Sequence, residues 1–344
     1  MDIEAVAAEF PSATGYLDTA TMGLPPARAT AALHAAIDAW QAGAASAPGY
    51  DAAVERSREL FAGLVGVPPA WVAVGGQVAS FTGLVAASLP AGAEVVCVEG
   101  EFTSVLFPFL ARDDLRVRIV APDALAAAIG PATALAAVSA VQSSDGSVTD
   151  LDGVRDAVAA HRARLLVDAT QAVGWLPVDA RAADYLVCGA YKWLLAPRGS
   201  AFLSVRPEHW ETLRPIHASW YGAPEPYEAI YGGPLRLAAD ARRFNVSPAW
   251  LSWVGTAEAL ELIAQVGVEA IHAHDVALAD RVRTGLGQPP GDSAIVSLAV
   301  DDAQAERLRA SGVRFSIRDG RARLAFHLYS HGADVETVLA VLGR

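Results

Sequence analysis

Between residues 70 and 205, short apolar runs rich in β-branched side chains alternate with longer segments of helical periodicity, and no other feature limits the possible folds as strongly. The runs read as strands over 71–74, 94–98, 116–120, 134–141, 164–168, 184–188 and 200–205, with helices over 77–88, 102–112, 123–129 and 151–162 between them. Runs that are apolar on both faces, such as Val95-Val96-Cys97-Val98, suit a mostly parallel sheet covered by helices. Residues 215–250 break both periods with Pro215, Pro224, Pro226, Gly232, Gly233 and Pro234, and read as a loop-rich crossover. Beyond it come helices over 249–263 and 268–286, a strand over 294–300, a helix from 303, strands over 314–317 and 323–328, and a closing helix from 334. The predicted architecture is α/β. A large domain, 16–245, carries a mostly parallel seven-stranded sheet, and a smaller α+β domain is formed by 1–15 and 246–344. With 344 residues, 53% of them apolar, the chain can bury a core for both.

Charge narrows the partners. The formal net charge of −12 repels phosphate backbones and anionic membrane surfaces, which argues against nucleic acid. No apolar run approaches the roughly 18 residues of a membrane span, and a cytoplasmic location is expected. Cys97 and Cys188 sit in apolar strand-like runs and read as small buried hydrophobes. The eight histidines show no ligand-spaced cluster, and His272 and His274 face different sides of a helix, so no metal is expected.

One count points to chemistry. Of the 26 basic residues a single one, Lys192, is a lysine. Guanidinium, with a pKa above about 12, cannot serve where an amine must lose its proton, whereas a desolvated lysine becomes a nucleophile and a proton shuttle. Lys192 directly follows a strand-like run, in Ala190-Tyr191-Lys192-Trp193, which is no place for a solvated surface charge. One βα unit upstream, Leu165-Leu166-Val167-Asp168 is a buried strand ending in a carboxylate, with Gln171 three residues later.

Asp-x-x-Gln at a strand end, a lysine some twenty residues on in an aromatic context, and Pro197-Arg198-Gly199 after it resemble the class V aminotransferase family of fold-type-I pyridoxal-phosphate enzymes, which also includes cysteine desulfurase-like and isopenicillin N epimerase-like members. Tyr16-Leu17-Asp18-Thr19-Ala20, Arg242-Arg243-Phe244 and the run from Arg323 to Ser330 extend the resemblance through nearly the whole chain. It implies a pyridoxal 5'-phosphate cofactor, an amino-acid substrate and a homodimer. Lys192 would carry the aldehyde as an imine and act as the base, Asp168 would hold the proton on the ring nitrogen, and Gln171 would reach the phenolic oxygen. Gly76, Gln77 and Val78, at a strand-to-helix turn, would take the phosphate on backbone amides, although any tight βα turn can use Gly75-Gly76, and Val78 stands where the family has Thr or Ser. Phe102 would stack on the ring. Ser143, beside Gln142, would present a hydroxyl, though an ordinary turn uses the same residue types. Tyr191 would contact the cofactor or pack, and Arg323 would clamp the substrate carboxylate.

The cysteine desulfurases of the family carry a nucleophilic cysteine on a long loop before the terminal arginine. Here only four residues separate Arg318 from Arg323, and none is cysteine, so persulfide chemistry is rejected and aminotransfer is expected. A Cβ–S lyase, an epimerase and a catalytically silent pyridoxal-phosphate-binding scaffold are the alternatives. A dinucleotide-binding oxidoreductase is disfavoured by the lack of G-x-G-x-x-G at the Gly75-Gly76 turn.

Overall fold

The structure is a computed structural model that describes residues 3–343; Met1, Asp2 and Arg344, which belong to the small-domain assignment above, lie outside the described residues. The apolar runs form a seven-stranded sheet: β1 (Val72–Gly75), β2 (Glu94–Val98), β3 (Arg116–Val120), β4 (Thr133–Ser139), β5 (Arg164–Asp168), β6 (Tyr185–Gly189) and β7 (Ala201–Val205). Its order is β1-β7-β6-β5-β4-β2-β3. The pairs β2–β3, β2–β4, β4–β5 and β5–β6 are parallel, and β7 runs antiparallel to both neighbours. β6 and β7 are buried along their length and β4 nearly so, whereas the edge strand β3 has only half-buried and exposed residues. A second, antiparallel sheet has the order β8-β10-β9, with β8 (Ile295–Ala299), β9 (Ser316–Arg318) and β10 (Arg321–Ala325).

Two expected helices are shorter than their pattern. Phe102 has extended dihedrals and caps the helix Thr103–Leu110, and Pro122 opens a 3-10 turn before the short helix Leu125–Ala128. β10 ends at Ala325: Phe326 N still donates to Ala294 O (3.1 Å), and the chain then bonds locally, His327 N to Ser330 Oγ (3.0 Å) and Ser330 N to His327 O (2.6 Å). The helices Ala27–Gln41 and Ala47–Leu64, which the sequence reading did not resolve, pack against Trp250–Val266. Behind β7, Phe61 stacks on Phe202 at 4.1 Å between ring centroids, and Trp253 meets Phe202 edge-on at 5.3 Å. A separate cluster under the small sheet includes Leu17, Leu298, Leu324, Phe326 and Val335.

The peptide that follows β6 is held tightly. Gly23 N donates to Tyr191 O at 2.9 Å, and a Cβ on Gly23 would fall 2.1 Å from Lys192 O. Only a hydrogen fits there. The expected outcome for Gly23→Ala is a loss of about 1–3 kcal/mol of stability from overpacking, read as a lower urea midpoint. Gly83, in the helix Val78–Ser88 with nothing within 4 Å of an added Cβ, is the control: Gly83→Ala should raise the midpoint or leave it unchanged.

Candidate functional site

Parallel strands bring their C-terminal ends to one edge of the sheet, and a cavity of about 470 Å³ opens there. Ser139 ends β4, Asp168 ends β5, Gly189 ends β6, and the helix after β1 begins at the same edge with Gly76, Gln77 and Val78 on the wall. Nine of the ten residues singled out from the sequence line this one cavity: Gly76, Gln77, Val78, Phe102, Ser143, Asp168, Gln171, Tyr191 and Lys192. The tenth, Arg323, lies behind Ser143.

Asp168 and Lys192 are both buried. Desolvation pushes the Asp168 carboxyl up to about 6, with Glu101 adding to the rise, while the Thr170 hydrogen bonds and Lys192 oppose it. The Thr170 amide donates to Asp168 Oδ1 at 2.8 Å. Desolvation likewise pulls the Lys192 amine down to about 8; Asp168 opposes this, and Arg323 and Arg318 reinforce it. Lys192 Nζ lies 5.2 Å from the Phe102 ring centroid and 5.7 Å from that of Tyr191, and the Arg198 guanidinium carbon sits 4.8 Å from the same Tyr191 centroid.

The amide of Gln171 is fully engaged. Its Nε2 donates to Ala20 O (2.9 Å) and Ser143 Oγ (3.0 Å), and its Oε1 accepts from the Trp193 indole (2.7 Å). Ser143 Oγ also accepts from Arg323 Nη1 at 3.1 Å, which fills both of its acceptor positions and leaves its O–H to donate. Arg323 is buried in β10; it also donates to Ser143 O and, at 2.7 Å, to Thr21 Oγ1, while its Nε has no partner. Burial and Arg318 lower its guanidinium to about 10, and Asp18, 3.8 Å away, acts in the opposite sense.

Sequence reasoning missed the roles of Ser139, Thr170 and Thr21. Glu101 knits the wall together: Oε1 accepts from Phe102 N (2.7 Å) and Ser139 Oγ (2.5 Å), and Oε2 from Ser139 N (2.8 Å). A buried acidic residue of this kind must find donors. Gln77, the N-cap of Val78–Ser88, is extended and makes no side-chain cap hydrogen bond, so the first-turn amides are open toward the cavity wall. Thr82, one turn on, does not line the cavity, and its Oγ1 has no partner. Neither cysteine lines it. Burial raises both thiols, Cys97 to about 12.

The pattern of the family described as Aminotransferase class-V matches residues 16–337. The chain is 30% identical over 299 residues to an uncharacterized aminotransferase of Bacillus subtilis (strain 168), YcbU, across 80% of this chain and 79% of that protein. It is 30% identical over 267 residues to the isopenicillin N epimerase of Streptomyces clavuligerus, across 69% of this chain and 65% of that enzyme. The fold is that of the apo cysteine desulfurase of Thermococcus onnurineus NA1, with a TM-score of 0.86 at 20% identity over 99% of this chain and 98% of that one. The chain therefore belongs to the class V aminotransferase family, pyridoxal 5'-phosphate-dependent enzymes of fold type I.

Proposed function

We propose that this protein is an aminotransferase acting at Cα of an amino acid, with Lys192 and Asp168 as its catalytic residues. The observation that carries this reading is the convergence of a buried amine and a buried carboxylate in one cavity, with the guanidinium of Arg323 behind it. The donor set fits pyridoxal phosphate: a carboxylate for the ring nitrogen, an amine for the aldehyde, uncapped helix amides for the phosphate, and the free O–H of Ser143 for the phenolic oxygen. When bound, pyridoxal phosphate supplies the electron sink for negative charge at Cα. Asp168 holds a proton at the ring nitrogen. Gln171 acts through Ser143, whose hydroxyl it orients. Phe102 covers the ring, Tyr191 flanks it, and Gly76, Gln77 and Val78 hold the phosphate on their amides. Arg323 binds the substrate carboxylate, which would satisfy its unpartnered Nε.

Lys192 Nζ, lowered to about 8, is basic enough to take the Cα proton and spends an appreciable fraction of its time uncharged near neutrality. Transfer is favoured over epimerisation because Lys192 is the one amine on the cavity wall among the described residues, and Tyr191, another acid–base group on that wall, has its phenol raised by burial. The similarity to a Bacillus subtilis protein named as an aminotransferase supports the same choice. The two sheets support a division into a large cofactor-binding unit, 16–245, and a small unit, 1–15 with 246–344.

Purified protein loaded with pyridoxal phosphate and titrated with a panel of amino acids should yield a keto acid and retain the amino group. Borohydride should trap the cofactor on the peptide that contains Lys192, and Lys192→Ala should abolish trapping. Pyruvate with a released thiol would make the enzyme a lyase, a D-amino acid would make it an epimerase, and no turnover would leave a binding scaffold. The double variant Cys97→Ala, Cys188→Ala should keep most of its turnover and lose about 1 kcal/mol of stability per site; an inactive, well-folded double variant would refute the assignment. The crossover leaves Tyr231 87% and Leu235 71% exposed, with Ile216 and Ile230 of the same segment also exposed, which supports a homodimer. Light scattering should report twice the mass of one chain, and an active monomer would contradict this.

A further inference from the structure

The amine of Lys192 can be placed no better than the peptide that carries it, and three consecutive carbonyls of that peptide are pinned. Tyr191 O accepts from Gly23 N at 2.9 Å, Lys192 O from Leu195 N at 3.1 Å, and Trp193 O from His327 Nε2 at 3.0 Å. The first two donors are backbone groups. The third is a fully buried side chain that follows Arg323 by four residues. A carbonyl oxygen can only accept, so Nε2 carries a hydrogen. Across the ring, Nδ1 lies 2.9 Å from Oδ2 of Asp275, which the helix Val268–Gly285 buries completely.

Arg323 reaches the same residue by another route. Its Nη1 donates to Ser143 Oγ, Ser143 Oγ accepts from Gln171 Nε2, and Gln171 Oε1 accepts from the Trp193 indole. Segment 323–327 therefore grips Trp193 at both ends, by its indole through Arg323 and by its carbonyl through His327, and Lys192 is the neighbour of the gripped residue. A simple staple would not need this chemistry. Burial raises the Asp275 carboxyl, its Oδ1 has no partner, and apolar residues of the same volume generally stabilise such a position as well or better.

We propose that His327, oriented by Asp275, is a positioning residue that sets the separation between Lys192 Nζ and the Arg323 guanidinium, and with it the distance between carboxylate and reacting carbon that a substrate must match. The proposal rests on the roles given to Lys192 and Arg323 above. The pair selects for α-amino acids, in which one carbon separates the two groups, against β-amino acids.

The test compares His327→Gln, whose amide nitrogen falls near the Nε2 position and keeps the bond to Trp193 O, with His327→Asn, whose amide falls near Nδ1 and loses it. The first readout is the rate at which pyridoxal phosphate attaches to Lys192 in cofactor-free protein, followed by absorbance and confirmed by borohydride reduction and peptide mapping. The second is the ratio of turnover on alanine to that on β-alanine, and thermal unfolding is recorded for every variant. His327→Asn should attach about tenfold more slowly, the worth of one buried hydrogen bond, and lose α-over-β preference, while His327→Gln stays within about threefold of the unaltered protein although both variants melt earlier. Unchanged attachment and preference in His327→Asn, or equal losses in the two variants, would overturn the proposal. If the unaltered protein attaches nothing at Lys192, the assignment of Lys192 falls first and takes this inference with it.

Discussion

One amine and one carboxylate withdrawn from water into the same cavity are the constraint on which the rest of this molecule depends. Desolvation is the largest influence on both, and it moves them toward each other, Lys192 down to about 8 and Asp168 up to about 6. A charge buried alone costs several kcal/mol, so donors and counter-charges have to be delivered to the spot. The parallel sheet does this by geometry: strand ends from distant parts of the sequence arrive at one edge, and the Thr170 amide, two residues past the end of β5, donates to Asp168. Glu101, buried three residues beyond the end of β2, is held by the Ser139 and Phe102 donors and adds to the rise of Asp168.

The large sheet was legible because strands covered on both faces carry continuous apolar runs, and β2, β3 and β5 end where those runs end. The helix Ala27–Gln41 was not. Only Ala29 of it is buried, so no run of buried apolar side chains marks it. At the site, Lys192 stood out by composition and Asp168 by its position after an apolar run, both local signals. The His327–Asp275 pair gave none, since its members lie 52 residues apart and each is unremarkable among its neighbours. Sequence can announce a residue type in an odd place; it does not announce a partner supplied by another element.

The near-exclusive use of arginine becomes intelligible around this cavity. Arg323 and Arg318 both press the Lys192 amine toward its neutral form, and a guanidinium does so without offering a competing amine. A second lysine in place of either would share the titration and could take the aldehyde itself. In the proposed function, arginine at these positions keeps a positive field for the substrate carboxylate and leaves one nucleophile to react with an aldehyde.

The hairpin that presents Arg323 bears on the choice of reaction. β9 and β10 are joined by Asp319-Gly320, with φ of 48° and 72°, and Arg321 pairs with Arg318. Positive φ at both positions is the signature of a tight two-residue turn, which glycine adopts freely and aspartate tolerates. Such a turn is short and stiff, so it can hold Arg323 in register opposite Ser316 but cannot swing a side chain into the cavity from outside. The two sulfur atoms that could attack a substrate sit in β2 and β6, with their thiols raised by burial. In the proposed function these residues grip the carboxylate of a bound amino acid, move a proton at Cα and hold one on a ring nitrogen. Those capacities suit amino-group transfer, and sulfur transfer would require a mobile nucleophile that this hairpin has no length to carry.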